Sequence, residues 1–129
     1  MATEKDRQLI LITDDSDINR MILSDMLEDT YDIIEADSGK QALEIIDKRK
    51  DDIDIILLDF VMPEMDGFET MTLLKKERNS RDIPVIFLTS KNDRDIVTKV
   101  LAENPVKYLL KTMQPDALLQ SINDYFKGN

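Results

Sequence analysis

The spacing of apolar residues switches repeatedly along this chain, and that switch is its strongest constraint. Leu9-Ile10-Leu11-Ile12 is a short continuous apolar run, the pattern of a strand buried on both faces. Asp14 to Glu28 then carries apolar residues at helical spacing, with Ile18, Met21, Ile22 and Leu27, joined by Met26, forming a stripe. The same switch recurs four more times. Ile33-Ile34 is a weak strand, and Ser38 to Arg49 a helix built on Ala42, Leu43, Ile45 and Ile46. Ile53 to Leu58 is the most apolar strand, interrupted by Asp54 and ended by Asp59, and a helix follows from Gly67 to Arg78. Strand Pro84 to Leu88, helix Asp93 to Asn104, strand Val106 to Leu110 and helix Pro115 to Phe126 complete the series. Pro115 suits a first helical turn, where an N–H is dispensable.

A strand of about 5 residues, a helix of about 12 and two loops of about 4 make a unit of roughly 25. Five units therefore use the whole chain of 129 residues, and the pattern predicts one domain over residues 1–129. Strict strand–helix alternation with double-sided burial predicts an α/β, doubly wound parallel sheet with helices on both faces. In such sheets ligands bind beyond the carboxyl ends of the strands, where the strand order reverses.

Composition narrows the chemistry. Cys and His are both absent. That excludes disulfides, thiol nucleophiles, imidazole ligands and any phosphohistidine on this chain. A bound metal would be a hard cation held by oxygen, in practice Mg²⁺ or Ca²⁺. The net charge of −10 sets phosphate-rich nucleic acid aside as a direct partner. No apolar run approaches the roughly 20 residues of a membrane span, and the first residues are not a signal peptide. A cytoplasmic protein is the expectation.

The residues just past each apolar run are therefore the ones to read. Strand one ends in Thr13-Asp14-Asp15, strand three in Asp59, strand four in Thr89-Ser90 and strand five in Lys111. Each has an ordinary reading. Asp14 and Asp15 precede a helix and could cap it; Thr89 and Ser90 suit a turn; Lys111 suits a solvated surface. Asp59 stands apart, because apolar residues flank it and the next helix is too distant for capping. Taken together, three carboxylates, a hydroxyl and an ammonium fall at one edge of one sheet. Clustered carboxylates repel one another unless a cation neutralises them. Mg²⁺ fits such a cluster, since it takes one or two carboxylates, keeps waters and shares phosphate oxygens. A carboxylate beside metal and anion sites can attack phosphorus and form an aspartyl-phosphate.

On these residues the chain resembles a two-component response-regulator receiver domain of the CheY-like type. The resemblance rests on Leu11-Ile12-Thr13-Asp14-Asp15 with Asn19-Arg20, on Leu57-Leu58-Asp59-Phe60-Val61-Met62-Pro63-Glu64-Met65-Asp66-Gly67, on Leu88-Thr89-Ser90, and on Tyr108-Leu109-Leu110-Lys111. It covers the whole chain and implies a flavodoxin-like (βα)5 fold with strand order 2-1-3-4-5. It implies that Asp59 is the phosphoacceptor. Asp14, Asp15, Asp59 and the backbone carbonyl of Val61 would hold Mg²⁺, with Asp14 binding directly or through water. Lys111 and Thr89 would contact phosphoryl oxygens, and Ser90 would leave room for them. Thr89 and Tyr108 would be the switch residues, repacking the face made by the fourth helix, fifth strand and fifth helix.

The implied donor is a phosphohistidine on a sensor histidine kinase or a histidine phosphotransfer protein, or a small acyl phosphate. The implied output is a downstream protein target or an effector domain reached through the switched face, with a phosphorylation-dependent homodimer as a further state. Kinase specificity would lie in exposed residues of the first helix, with Asp17, Asn19, Arg20 and Ser24 as candidates. The chain would be a switch and not a turnover enzyme. Phosphatases of the haloacid-dehalogenase type need a second acid two residues after the nucleophile, and Val61 stands there. The alternative is a degenerate receiver used only as an interaction module.

Several positions depart from the family pattern. Thr112 replaces the usual proline after Lys111, and Glu103-Asn104-Pro105 replaces the usual Gly-Ala before strand five. Val61 and Lys91 occupy positions that the family uses to set dephosphorylation. Val61 cannot hydrogen-bond an attacking water, and Lys91 can pair with the phosphate, so slow hydrolysis is expected. Decay of the phosphorylated chain after acetyl-phosphate loading checks this; Val61→Asn should accelerate it, and no acceleration would count against the reading.

Overall fold

The structure is a computed structural model that describes residues 7–49, 51–60, 62, 64–76, 82–89, 107–110 and 114–128; of Thr89, Tyr108 and Leu110 it describes the backbone. Its strands are β1 (Leu9–Thr13), β2 (Asp32–Ala36), β3 (Ile55–Asp59), β4 (Val85–Thr89) and β5 (Lys107–Leu110). The described helices are α1 (Asp17–Leu27), α2 (Gly39–Arg49), α3 (Gly67–Lys76) and a C-terminal helix, Pro115–Lys127. The expected helix Asp93 to Asn104 lies outside the described residues. The strands form one parallel sheet in the order β2-β1-β3-β4-β5, as the strand–helix alternation and the family resemblance lead one to expect.

The period-two geometry of a strand sends alternate side chains to opposite faces, and here both faces are covered. Leu9 and Leu11 of β1, Ile56 and Leu58 of β3 and Val85 and Phe87 of β4 pack with Ala42 and Ile46 of α2 and Met71 and Leu74 of α3. Their neighbours Ile10, Ile12, Ile55, Leu57, Ile86 and Leu88 pack on the other face with Leu23 and Leu27 of α1 and Leu118 and Ile122 of the C-terminal helix. β1, β3 and β4 are thereby buried from both sides, which explains their continuous apolar runs.

The first helix differs from its sequence reading. It starts at Asp17, because the Oγ of Ser16 accepts from the Asn19 N–H at 3.2 Å and acts as the N-cap. Leu23 and Leu27 are its buried residues, while Ile18, Met21 and Ile22 are 65%, 56% and 49% exposed. At the helical step of about 100° per residue, Ile18 and Met21 point roughly 140° and 160° away from Leu23. The helix carries apolar residues around most of its circumference, and the core takes up the arc of Leu23 and Leu27, with Met26 partly buried beside them. Other elements shift by a residue or two. Asp54 precedes β3, where its Oδ2 accepts from the Leu9 N–H at 2.7 Å. The acid interrupting the apolar run thus ties down the start of β1. Ser38 precedes α2 and its Oγ accepts from the Gln41 N–H at 3.1 Å. The C-terminal helix ends at Gly128, whose φ of 82° is the left-handed conformation that glycine adopts without strain.

Two long-range ties hold the far end of α1. A helix leaves its last carbonyls without intrahelical partners. Arg7 supplies donors to this region: its Nε bonds the Thr30 carbonyl at 3.2 Å, and its Nη2 bonds the carbonyls of Glu28 and of Tyr31, the latter at 2.8 Å. Tyr31 is buried, its ring lies 5.3 Å from that of Phe126, and its hydroxyl donates to Asn123 Oδ1 on the C-terminal helix. Burial raises the pKa of the Tyr31 phenol above its ordinary value. The folded chain then holds this proton more tightly than the unfolded chain. The associated stability is complete below about pH 10 and is lost as pH rises through the folded value. Removing the hydroxyl in Tyr31→Phe should lower stability near neutral pH by about 1 kcal/mol. It should also flatten the alkaline decline, as read by urea titrations on either side of pH 10.

Candidate functional site

The site forms where β1 and β3 end side by side. β1 pairs with β2 on one side and β3 on the other, so the strand order reverses here, the position at which open α/β sheets bind ligands. Asp14 follows β1 directly. Its N–H donates to the Ala36 carbonyl at 3.1 Å, and its Oδ1 accepts from the Ser16 N–H at 2.9 Å. Its own carbonyl accepts from Arg20 Nη1 at 2.6 Å. The capping role that the sequence allowed for Asp14 or Asp15 belongs to Ser16. Asp59 is the last residue of β3, and the following N–H, of Phe60, donates to the Leu88 carbonyl at 3.0 Å.

Asp14 and Asp59 are only 1% and 3% exposed, whereas Asp15 is exposed. One carboxylate oxygen from each of Asp14, Asp15 and Asp59 lies within 4.8 Å of the other two. Three hard, anionic oxygens at this separation, two of them on buried residues, repel one another and match the preferences of a hard divalent cation. The exposed Asp15 leaves the cluster open to solvent. The three acids read from the sequence can therefore hold a metal together.

For the remaining residues, the described backbone gives position alone. Thr89 ends β4 opposite Leu110, one residue beyond the Leu88 that faces Asp59. Its backbone thus shares the edge of the sheet with the carboxylates. Tyr108 sits in β5 opposite Phe87. Val61, Ser90, Lys91, Lys111 and Thr112 lie outside the described residues.

The first-helix residues divide. Asp17 is exposed and Asn19 half-buried. Arg20, with a side chain 13% exposed, bonds Asp17 Oδ1, Glu35 Oε1 and the Asp14 carbonyl. Burial works against its charge, but Asp17 and Glu35 outweigh that effect and raise its pKa. Ser24 Oγ donates to Glu35 Oε2 at 3.0 Å. The expectation that Arg20 and Ser24 are exposed is therefore corrected: both are half-buried. Both are engaged within the molecule, because their turn of α1 faces Glu35 of β2.

Sequence reasoning also passed over how the loop after Asp59 is held. Asp66 Oδ1 accepts from the Glu69 N–H at 2.8 Å, and Glu69 Oε1 accepts from the Asp66 N–H at 3.4 Å. This is a reciprocal capping box at the start of α3, legible as Asp-x-x-Glu. The Gly67 N–H donates to the Phe60 carbonyl at 2.8 Å. A Cβ on Gly67 would run into the carbonyl oxygen of Asp59 and the Cα of Phe60. Only glycine lets α3 begin directly against the Asp59 backbone. Gly67→Ala should therefore lose about 1–3 kcal/mol by urea unfolding and perturb the amide resonances of residues 59 and 60. A neutral effect on both would remove this constraint.

Comparison with known proteins follows the same geometry. A family model described as the response regulator receiver domain matches residues 10–123. The two-component response regulator ORR5 of rice (Oryza sativa subsp. japonica) is 33% identical over 107 residues, covering 82% of this chain and 79% of its own length. Among solved structures, the Vibrio cholerae chemotaxis protein CheY4 superposes with a TM-score of 0.83 at 27% identity, covering 91% of this chain and 97% of its own. The signal receiver domain of a signal transduction histidine kinase from Syntrophus aciditrophicus gives a TM-score of 0.84 at 29% identity, covering 94% and 91%. With its fold, strand order and clustered carboxylates in agreement, the chain belongs to the response-regulator receiver family of two-component systems.

Proposed function

We propose that residues 1–129 form one receiver domain in which Asp59 accepts the phosphoryl group and Asp14, Asp15 and Asp59 hold Mg²⁺, the Val61 carbonyl completing the protein ligands. The observation that carries this reading is the approach of the three carboxylates to within 4.8 Å at the ends of β1 and β3. A bound Mg²⁺ supplies charge neutralisation for both the carboxylates and the incoming phosphate. The chain's own part is to position. β3 delivers the Asp59 carboxylate for in-line attack, the P–O bond forms as the donor's P–N bond breaks, and the imidazole departs after taking a proton. Lys111 and Thr89 receive the phosphoryl oxygens. Thr89 and Tyr108 then repack the face of the fourth helix, fifth strand and fifth helix toward a protein target, an effector domain or a second copy. The acidic composition argues against nucleic acid as a direct partner. No helix among the described residues is long and apolar enough to cross a membrane; the cytoplasm is the proposed location.

The donor-docking face follows from α1. Ile18, Met21 and Ile22 are exposed on it. Ile22, Asn19 and Met26 line a groove of about 120 Å³ shared with Pro115 and Leu118 of the C-terminal helix, and Asp14 borders it. An apolar groove ending at the acidic cluster suits an amphipathic helix that presents a phosphohistidine.

Intact-mass measurement after acetyl-phosphate treatment tests the acceptor. Wild type with Mg²⁺ should gain one phosphoryl group, while Asp59→Asn, or removal of Mg²⁺ by chelation, should abolish the gain. No uptake by wild type would favour the phosphorylation-independent module. In a second arm, Ile18→Asp with Ile22→Asp should leave acetyl-phosphate uptake intact yet slow transfer from a phosphorylated histidine phosphotransfer protein by about tenfold or more.

A further inference from the structure

We propose that Arg20 is a positioning residue for the metal-binding pair, setting the angle between the Asp14 and Asp15 carboxylates through the peptide that joins them. This rests on the reading above that these acids hold Mg²⁺. The carbonyl of Asp14 belongs to the planar peptide linking Asp14 to Asp15, so rotating that plane changes where the two side chains point. Arg20 Nη1 grips this carbonyl at 2.6 Å, a short, charge-assisted bond. The guanidinium is itself held in place, with Nε on Glu35 Oε1 at 3.1 Å and Nη2 on Asp17 Oδ1. Glu35 is oriented in turn by Ser24 Oγ at 3.0 Å on its second oxygen.

These contacts close a ring. The Asp14 N–H bonds Ala36, the residue after Glu35, so β2 anchors Asp14 directly through its backbone and again through Glu35 and Arg20. A planar fork of donors is required, because three acceptors lie in different directions around one group. A lysine ammonium on a flexible stem cannot reproduce that arrangement. With only 13% of its side chain exposed and all three donor nitrogens engaged, Arg20 is poorly placed to read a kinase. It supports the first acidic loop from behind.

The test compares Mg²⁺ affinity, followed through the amide resonances of residues 14–16, in the full chain and in four variants. Arg20→Ala should weaken Mg²⁺ binding by about tenfold or more, Arg20→Lys should fail to restore it, and Glu35→Ala should weaken it by a smaller factor. Arg7→Ala loosens the opposite end of α1 and serves as the stability control; it should leave the affinity within about twofold of wild type. Acetyl-phosphate uptake should slow in the Arg20 variants, since that donor needs no protein docking. Wild-type Mg²⁺ affinity in Arg20→Ala, or in Glu35→Ala should Arg20→Ala not fold, would overturn the proposal. So would an equal loss in Arg7→Ala or a full rescue by lysine. Failure of wild type itself to bind Mg²⁺ would instead overturn the metal site, and this inference with it.

Discussion

The structure depends on a sheet buried from both sides. Alternate residues of β1, β3 and β4 feed two separate cores, so the middle of each strand has no face on which a charge can reach water. A polar functional group can enter only where a strand runs out of the layer. Asp14 and Asp59 stand at those limits, beyond four-residue apolar runs, and inherit nearly complete burial from them. An isolated buried carboxylate is costly to keep ionised. Grouping it with two others increases the demand for positive charge. The fold therefore gathers carboxylates at a place where a hard cation can be held.

The backbone around these acids is short and restrained. Ser16 caps α1 two residues after Asp14, and the Asp66–Glu69 box caps α3 seven residues after Asp59. Each acidic residue thus lies between a hydrogen-bonded strand and a fixed helix start. Glu64, with a φ of 66°, takes the left-handed conformation inside the second connection, which costs an L-residue about 1–2 kcal/mol. That local cost is sustained by the surrounding contacts, including Gly67 against the Asp59 carbonyl.

Much of this was legible in the sequence, for identifiable reasons. Continuous apolar runs announce double-sided burial, and the residue after each run is its carboxyl end; this suffices to find Asp14, Asp15 and Asp59. The face of α1 was not legible. Ile18, Met21, Ile22, Leu23, Met26 and Leu27 offer more than one apolar arc, and hydrophobicity alone does not say which arc meets the sheet. Arg20 was misread for a related reason. An arginine near a helix start looks solvent-facing until the partner strand is known, and Glu35 lies fifteen residues away in a different element. Gly67 was visible as part of a motif, but its reason, the closeness of another backbone, exists only in three dimensions.

Arg7 carries a consequence for where the folded unit begins. Family similarity starts at residue 10, inside β1, yet Arg7 reaches three carbonyls at residues 28, 30 and 31. Arg7, outside the matched residues, therefore clamps the turn between α1 and β2, at the end of α1 remote from Asp14. A domain boundary defined by shared sequence would cut away a contact defined by shared structure. A residue outside the matched span is one of the domain's fastenings.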